Sequence, residues 1–197
     1  LITQLSVLRQ KRAWREVRTG TPLPANRSNL NAFLDTLPFN LTDAQTSALD
    51  EVLADIGSDR PARRLIQGDV GSGKTVVATA AMMVAVENGR KAALMAPTEI
   101  LAEQHFITIS RMLAGADLDL DGEPIVELQV AGMDCPMVLG LMLGSQTKRM
   151  KDHIRAKLAQ GAVDIVIGTH TLIQEGVGIA DLALVIVDEQ HRFGVIQ

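Results

Sequence analysis

The chain has 197 residues, of which 47% are hydrophobic and 21% are charged, a composition typical of one globular domain with a sizeable core. This composition excludes a chain that is disordered throughout, and no apolar run reaches the roughly 18 residues of a membrane span. The single cysteine excludes an internal disulfide framework and indicates a protein of the reducing cytoplasm. The net charge of −4 argues against a nucleic-acid partner, unless the charges are unevenly distributed.

The N-terminal segment is basic, with six Lys or Arg residues and one acid in residues 1–27. Leucines at helical spacing predict an amphipathic basic helix over residues 1–17. The stretch "RTGTPLPANRSN" that follows is rich in Gly, Pro and cap-type residues, which is typical of a linker. We therefore interpret residues 1–36 as a helical extension with a linker, and residues 37–197 as the main domain.

The first helix of the main domain carries clear end signals. Thr42 is an N-cap candidate, Gln45 follows at the spacing of a capping box, and Gly57 is a terminator. This pattern predicts a helix between Thr42 and Gly57.

From residue 64 onward, short apolar runs alternate with helical segments. We predict helices at about residues 74–87 and from Thr98 onward. The runs predicted as strands are residues 64–67, 92–97, 164–169 and 182–188. Their continuous apolar character is typical of strands that are buried on both faces, and interleaved helices imply right-handed crossovers. We therefore predict the α/β class, with a parallel β-sheet flanked by helices.

One segment fits this alternation poorly. Residues 114–136 are acidic and irregular, although "PIVELQV" within them alternates like a strand. We interpret the segment as an excursion from the α/β pattern.

The string "GDVGSGKT" follows a predicted strand and opens a predicted helix, which is the context of a phosphate-binding loop. Its glycines allow backbone N–H groups to point at a phosphate, with the helix N-terminus adding positive potential. We predict that Lys74 reaches the β and γ phosphates and that Thr75 binds Mg²⁺. The predicted ATP-binding residues of the loop are Gly68, Asp69, Val70, Gly71, Ser72, Gly73, Lys74 and Thr75. The alternative is a glycine-rich turn before a helix.

The string "LVIVDE" places two carboxylates at the end of a predicted strand, at the sheet edge where ligands of open α/β sheets bind. We predict that Asp188 holds Mg²⁺ and that Glu189 activates the attacking water. Alone, such a pair is often a solvated turn. Together with the phosphate loop it indicates an ATPase in which Lys74, Asp188 and Glu189 are catalytic and the cofactors are ATP and Mg²⁺.

The string "DEQH" at residues 188–191 resembles the motif II boxes of superfamily 2 helicases. The surrounding strings "LPFNLTDAQ", "LIQGDVGSGKTVVA", "ALMAPTEILAEQH", "DIVIGTHTLIQ" and "LVIVDEQHRFGV" resemble the RecG family of branched-DNA translocases. They extend over most of residues 37–197. The transcription-repair coupling factors are similar but usually have an acid where Gln190 stands, so they rank second.

The resemblance implies a RecA-like ATP-binding lobe with further nucleotide contacts. Phe39 would stack on adenine and Gln45 would contact the adenine edge. The position of Gln190 and His191 just after the acid pair would let them sense loss of the γ phosphate, and the alternative for His191 is a plain surface histidine. The capping box offers another role for Gln45, and the two roles are compatible.

The resemblance also implies a path for the nucleic-acid backbone. Its candidate residues are Thr98, Ser145, Thr169 and His170, which are polar groups able to bind phosphate without reading sequence. The neighbouring basic cluster, with five cations in residues 148–157, would add to this surface. The alternatives are helix caps, turn closure and a solvated helix face.

The function implied is that of the first motor lobe of an ATP-dependent DNA helicase that remodels stalled forks and Holliday junctions in DNA repair and recombination. Its partners would be branched double-stranded DNA and, within the same parent chain, a second RecA-like lobe and a wedge domain. We expect the lobe alone to be nearly inactive. The alternatives are a lobe of a transcription-repair coupling factor, an RNA helicase, or a nucleotide-binding interaction module without turnover.

Overall fold

A computed structural model describes residues 20–69, 71–120, 122–174 and 177–189. Its helices are α1 (Arg27–Leu34), α2 (Asp43–Ile56), α3 (Lys74–Glu87), α4 (Glu99–Ala114), α5 (Lys148–Ala159) and a 3₁₀ helix (His170–Ile173). Its strands are β1 (Lys91–Met95), β2 (Ile125–Leu128), β3 (Met137–Met142), β4 (Ile165–Gly168) and β5 (Leu182–Val187). The helix predicted over residues 1–17 lies outside the described residues. No helix in the described residues has the length and apolar character needed to cross a bilayer.

The five strands form one sheet in the order β2-β3-β4-β1-β5. Strands β3, β4, β1 and β5 are parallel, with Ala93 beside Val166 on one side and beside Val185 on the other. Strand β2 is antiparallel to β3. The predicted α/β sheet flanked by helices is therefore confirmed, with one antiparallel edge strand that the prediction did not include.

Alternate residues of the strands pack into two separate cores, one on each face of the sheet, because successive side chains of a strand point to opposite faces. On one face, residues such as Leu94 and Ile167 pack in a large core that receives side chains from α1, α2, α3 and α4. On the other face, Val166 packs in a smaller core with Ile154 and Leu158 of α5. The sheet thus lies between two helical layers of unequal size.

The predicted helix ends agree with the structure. The capping box of α2 is complete, since the Thr42 hydroxyl accepts from the Gln45 amide and the Gln45 side chain accepts from the Thr42 amide. Helix α3 begins at Lys74 and ends before Asn88, and Thr98 caps α4 through its hydroxyl. These ends were predictable because each depends on residues within one turn of the helix.

The prediction of a strand at residues 64–67 is wrong. The segment has no strand partner, and Leu65 is 68% exposed. The Arg64 guanidinium is bound to Asp55, at 2.5 Å, and to Glu51, and both acids lie on α2. The bond to Asp55 also raises the Arg64 pKa above its ordinary value. The prediction failed because a short apolar run does not indicate whether a neighbouring strand is present to pair with it.

Two elements were not predicted. Strand β3 lies between β2 and β4, and α1 lies partly within the segment interpreted as a linker. The Asn26 side chain caps α1 by accepting from the Ser28 amide, and Leu30 and Phe33 are fully buried in the larger core. The cap residue and the three-residue apolar spacing were the signals available for α1.

Candidate nucleotide site at the carboxyl edge of the sheet

The phosphate loop lies at the edge of the sheet where the parallel strands end. Helix α3 ends at Glu87, and β1 begins shortly after it at Lys91, so the C-terminus of α3 is at the amino edge. Fourteen helical residues extend about 21 Å, comparable with the roughly 16 Å of a five-residue strand. Because α3 runs back across the sheet, its N-terminus at Lys74 is at the carboxyl edge.

The loop is wrapped around its own lysine. The Lys74 ammonium donates to the Gly68 carbonyl at 2.7 Å and to the Asp69 carbonyl at 2.8 Å, and its distance to the Ser72 hydroxyl is 3.4 Å. Gly71 and Gly73 have φ angles of 80° and 78°, which favour glycine. Residue Val70 lies outside the described residues. The loop therefore places the Lys74 ammonium at a helix N-terminus, where a phosphate could replace its carbonyl partners. A cation at a helix N-terminus is well suited to bind phosphate.

Gln45 joins the start of α2 to this loop. Its carboxamide oxygen accepts from the Thr42 amide at 2.8 Å, while its carboxamide nitrogen donates to the Ser72 carbonyl at 2.9 Å. A Cβ atom at Gly73 would lie 2.1 Å from that nitrogen, so only glycine leaves room for it. The capping role of Gln45 is confirmed, and its carboxamide N–H, which the cap does not use, binds the phosphate loop. The Phe39 ring is 47% exposed and accessible for stacking.

The acid pair lies at the end of β5, beside β1. The Asp188 amide donates to the Met95 carbonyl at 2.9 Å, which extends the ladder by one residue. Glu189 then adopts a left-handed φ of 50°, a conformation that costs an L-residue about 1–2 kcal/mol. Strained residues of this kind cluster at functional sites. Gln190 and His191, the predicted γ-phosphate sensors, lie outside the described residues.

The oxygen donors present fit a magnesium ion that is shared with a nucleotide. Mg²⁺ is usually held by one or two carboxylates, by phosphate oxygens and by several waters, rather than by an all-protein cage. Accordingly, the described residues contain no group of three or more His, Cys, Asp or Glu side chains that could hold a metal. The Thr75 hydroxyl in the first turn of α3 and the Asp188 carboxylate are the candidate ligands.

The four residues predicted to bind the nucleic-acid backbone have unequal access to solvent. His170 and Ser145 are exposed, but Thr169 is only 2% exposed and its hydroxyl lies 3.3 Å from that of Thr171. The Thr98 hydroxyl accepts from the Leu101 amide as a helix cap. A phosphate on this surface would therefore meet His170 and Ser145, whereas the Thr98 hydroxyl is engaged as a helix cap and Thr169 is buried.

A carboxylate holds the loop that contains Ser145. Glu99, the first residue of α4, accepts from the Ser145 amide at 2.9 Å. A bond from the Ser145 hydroxyl, followed by the bond from the Ser145 amide, lowers the Glu99 pKa below its ordinary value. The Lys151 ammonium donates to the Gly144 carbonyl at 2.8 Å, so one member of the basic cluster closes the same loop. Because the Ser145 amide and hydroxyl both bond to Glu99, a phosphate that bound at Ser145 would have to compete with this carboxylate.

Three residues of this edge were not predicted to have these roles: Glu99, His105 and Lys151. His105 donates or accepts at Nε2 with Asp188 Oδ2 at 2.8 Å, a pair separated by 83 positions in the chain. The only available signal was the string "PTEILAEQH", which places Glu99 and His105 on one helix. Nothing local to that helix indicates which strand end it contacts.

A glycine loop at a helix N-terminus and an acid pair at the carboxyl edge of a mostly parallel sheet define a P-loop nucleotide-binding lobe of the RecA-like type. The family model described as DEAD/DEAH box helicase matches residues 42–196. The chain therefore belongs to the DEAD/DEAH box helicase family.

Within this family the chain is similar to proteins named ATP-dependent DNA helicase RecG. It is 44% identical to the Streptococcus pneumoniae protein over 91% of this chain, and 41% identical to the Haemophilus influenzae protein over 94% of it. The chain spans about a quarter of these relatives, 24% and 25% of their lengths.

Two solved structures are similar in fold. A structure described as RecG bound to a three-way DNA junction has a TM-score of 0.77 and 38% identity, over 95% of this chain and 23% of that one. The UvsW helicase from bacteriophage T4 has a TM-score of 0.53 and 16% identity, over 84% of this chain and 51% of that one, a likeness of fold alone. The expected family resemblance and the RecA-like fold are confirmed.

Proposed function

We propose that this lobe binds ATP with Mg²⁺ and forms one side of the hydrolytic site of an ATP-dependent DNA helicase that remodels stalled forks and Holliday junctions. The observation that carries the proposal is the Lys74 ammonium, held by two loop carbonyls at the N-terminus of α3. The similarity to RecG proteins, one of which is described bound to a three-way junction, supports branched DNA as the substrate.

In this proposal the residues divide the work of phosphoryl transfer. The Lys74 ammonium exchanges carbonyl partners for phosphate oxygens, since all three of its protons can donate. Thr75 and Asp188 hold Mg²⁺, which, when bound, neutralises charge that develops on the phosphate oxygens. Glu189 accepts a proton from the attacking water. Phe39 stacks on adenine, and Gln45 keeps the loop open through Ser72.

The proposed partners rest on the similarity to RecG proteins, of whose length this chain spans about a quarter. Related NTPases use an arginine from a neighbouring domain or protein, which is worth roughly 10³ to 10⁵ in rate. We infer that this group comes from a second RecA-like lobe and that a wedge domain in the same parent protein holds the junction. Residues 1–36 are then the connection to that wedge, and residues 37–197 are the motor lobe.

Thermal unfolding with and without ATP and Mg²⁺ tests the proposal. A ligand at 100 times its Kd stabilises a protein by about 2.7 kcal/mol, and we expect a stabilisation of this order. Lys74→Ala should abolish it because the phosphates lose their cation. Glu189→Gln should retain it, since activation of water is not needed for binding.

Two outcomes would contradict the assignment. Equal loss of stabilisation in both variants would show that Glu189 acts in binding rather than in hydrolysis. Rapid ATP hydrolysis by the isolated lobe would show that no second lobe is required. A nucleotide-binding module without turnover remains the second candidate, and addition of the second lobe distinguishes it, since such a module would gain no hydrolysis.

A further inference from the structure

We propose that His105 is a positioning residue that holds the carboxylate of Asp188 in the orientation needed to bind Mg²⁺, an inference that rests on the proposed nucleotide site. His105 Nε2 lies 2.8 Å from Asp188 Oδ2, and the two side chains are 17% and 29% exposed. An ionised carboxylate can only accept hydrogen bonds, so Nε2 carries the proton and donates.

The hydrogen bond from His105 sets the orientation of the Asp188 carboxylate. The Asp188 amide is held by the Met95 carbonyl, one residue beyond the end of the strand at Val187. This backbone bond does not fix the carboxylate itself. His105 occupies Oδ2, and no residue in the described ranges hydrogen-bonds to Oδ1, which is the oxygen proposed to bind the metal or a water on it.

Such an arrangement is expected around a bound cation. Carboxylates that bind metals are themselves hydrogen-bonded, and loss of the outer partner typically lowers metal affinity or activity about 10–100-fold. A purely structural role is a weaker explanation, because Asp188 is exposed enough for water to replace the imidazole. The pair joins α4 to the end of β5, so it also links two elements that are distant in the chain.

Helix α4 also connects His105 to the loop that contains Ser145. Glu99 begins the same helix and holds the Ser145 amide, and the offset of six positions from Glu99 to His105 corresponds to about 9 Å of helix. One rigid helix therefore contacts both the proposed metal carboxylate and the loop proposed to meet the nucleic-acid backbone. His105 is the contact through which the position of α4 acts on Asp188.

The test is a Mg²⁺ titration of the thermal stabilisation that a non-hydrolysable ATP analogue gives to the 197-residue chain. We expect His105→Ala to raise the half-saturating Mg²⁺ concentration about 10-fold or more. His105→Gln should restore most of the affinity, because its carboxamide N–H can donate to the same oxygen. His153→Ala, at an exposed histidine of α5, is the matched control and should leave the titration unchanged.

His105→Asn provides a second variant, because its shorter carboxamide stays polar but should not reach Asp188, so it should behave like the alanine variant. Mn²⁺ binding in the presence of the analogue, followed by electron paramagnetic resonance, should show the same order of affinities. An unchanged Mg²⁺ midpoint in folded His105→Ala would overturn the inference while leaving the nucleotide site intact. An absence of Mg²⁺-dependent stabilisation in the unmodified chain would instead overturn the proposed function, and this inference with it.

Discussion

The amino edge of the sheet, where the parallel strands begin, and the carboxyl edge, where they end, are built from different contacts. At the amino edge, the Lys91 ammonium lies 2.6 Å from Asp164 Oδ1, and the other oxygen of Asp164 accepts from the Val138 amide at 2.7 Å. One carboxylate thereby connects β1 to β3 across β4. Arg90 and Asp181, which precede β1 and β5, make a further ion pair at 3.2 Å.

At the carboxyl edge, polar side chains instead hold loops by their backbones. Lys74, Gln45 and Glu99 each bond to backbone groups of glycine-containing loops. These partners can be exchanged for a ligand, whereas both oxygens of Asp164 are already committed to groups of the sheet itself. If the proposed nucleotide site is correct, the amino edge serves stability and the carboxyl edge serves binding, and mutations at each edge can test this difference.

The largest expected effect on stability is at the amino edge. Asp164→Ala leaves Lys91 and the Val138 amide without their partner in a partly buried position, and removal of one member of such a pair costs about 3 kcal/mol. We expect urea denaturation to show this loss, with nucleotide-dependent stabilisation retained in the folded fraction.

Asp50→Ala is the matched control, because Asp50 pairs with Arg27 where both side chains are more than half exposed, and exposed pairs contribute about 0–1 kcal/mol. The distinction between the edges would fail if Asp164→Ala cost no more than Asp50→Ala. It would also fail if Asp164→Ala removed nucleotide binding from folded protein.

An intermediate effect is expected at Gln45, which serves both a helix cap and the phosphate loop. Gln45→Ala removes both bonds and should cost about 1 kcal/mol, the typical value of a cap. Gln45→Glu preserves an acceptor for the Thr42 amide but sets a carboxylate against the Ser72 carbonyl. We expect near-normal stability in the glutamate variant, with nucleotide affinity reduced several-fold.

Tripolyphosphate separates the two binding roles considered for Gln45. If Gln45 acts through the loop, Gln45→Glu should weaken ATP and tripolyphosphate alike in calorimetric titrations. Selective weakening of ATP would instead support the adenine contact and would contradict the loop role.

The smallest effect is expected at Glu99. Its pKa is lowered in the folded state, so its contribution to stability is present above its ordinary pKa of 4.5 and is lost as the pH falls through the lower folded value. Glu99→Gln should cost less than about 1 kcal/mol at neutral pH, because the group is only partly shielded from water. The cost should shrink below pH 4.5, as measured by thermal unfolding across pH.

Glu103→Gln, on an exposed turn of the same helix, is the control for Glu99 and should show no comparable pH dependence. A Glu99→Gln difference that grew as the pH fell would contradict the assigned role. In that case the bond to the Ser145 amide would not depend on the charge of Glu99.

The candidate site was predictable where its signals are local. Residues 68–75 carry the spacing of a phosphate loop, and Asp188 follows an apolar run that is a strand in the structure. The cap residues Thr42 and Thr98 were predictable for the same reason, since a cap and its helix lie within a few positions. The strand predicted at residues 64–67 failed because pairing requires a partner that a short apolar run does not specify.

The sequence by itself determined the class of this protein, because the phosphate loop and the acid pair are short strings whose chemistry depends on residue type and spacing. Only the tertiary structure decided which distant side chains meet: His105 with Asp188, Lys91 with Asp164, and Gln45 with the carbonyl of Ser72. These contacts depend on strand order and on the direction of each helix across the sheet. Both result from packing the two faces of the sheet, and no local spacing encodes either.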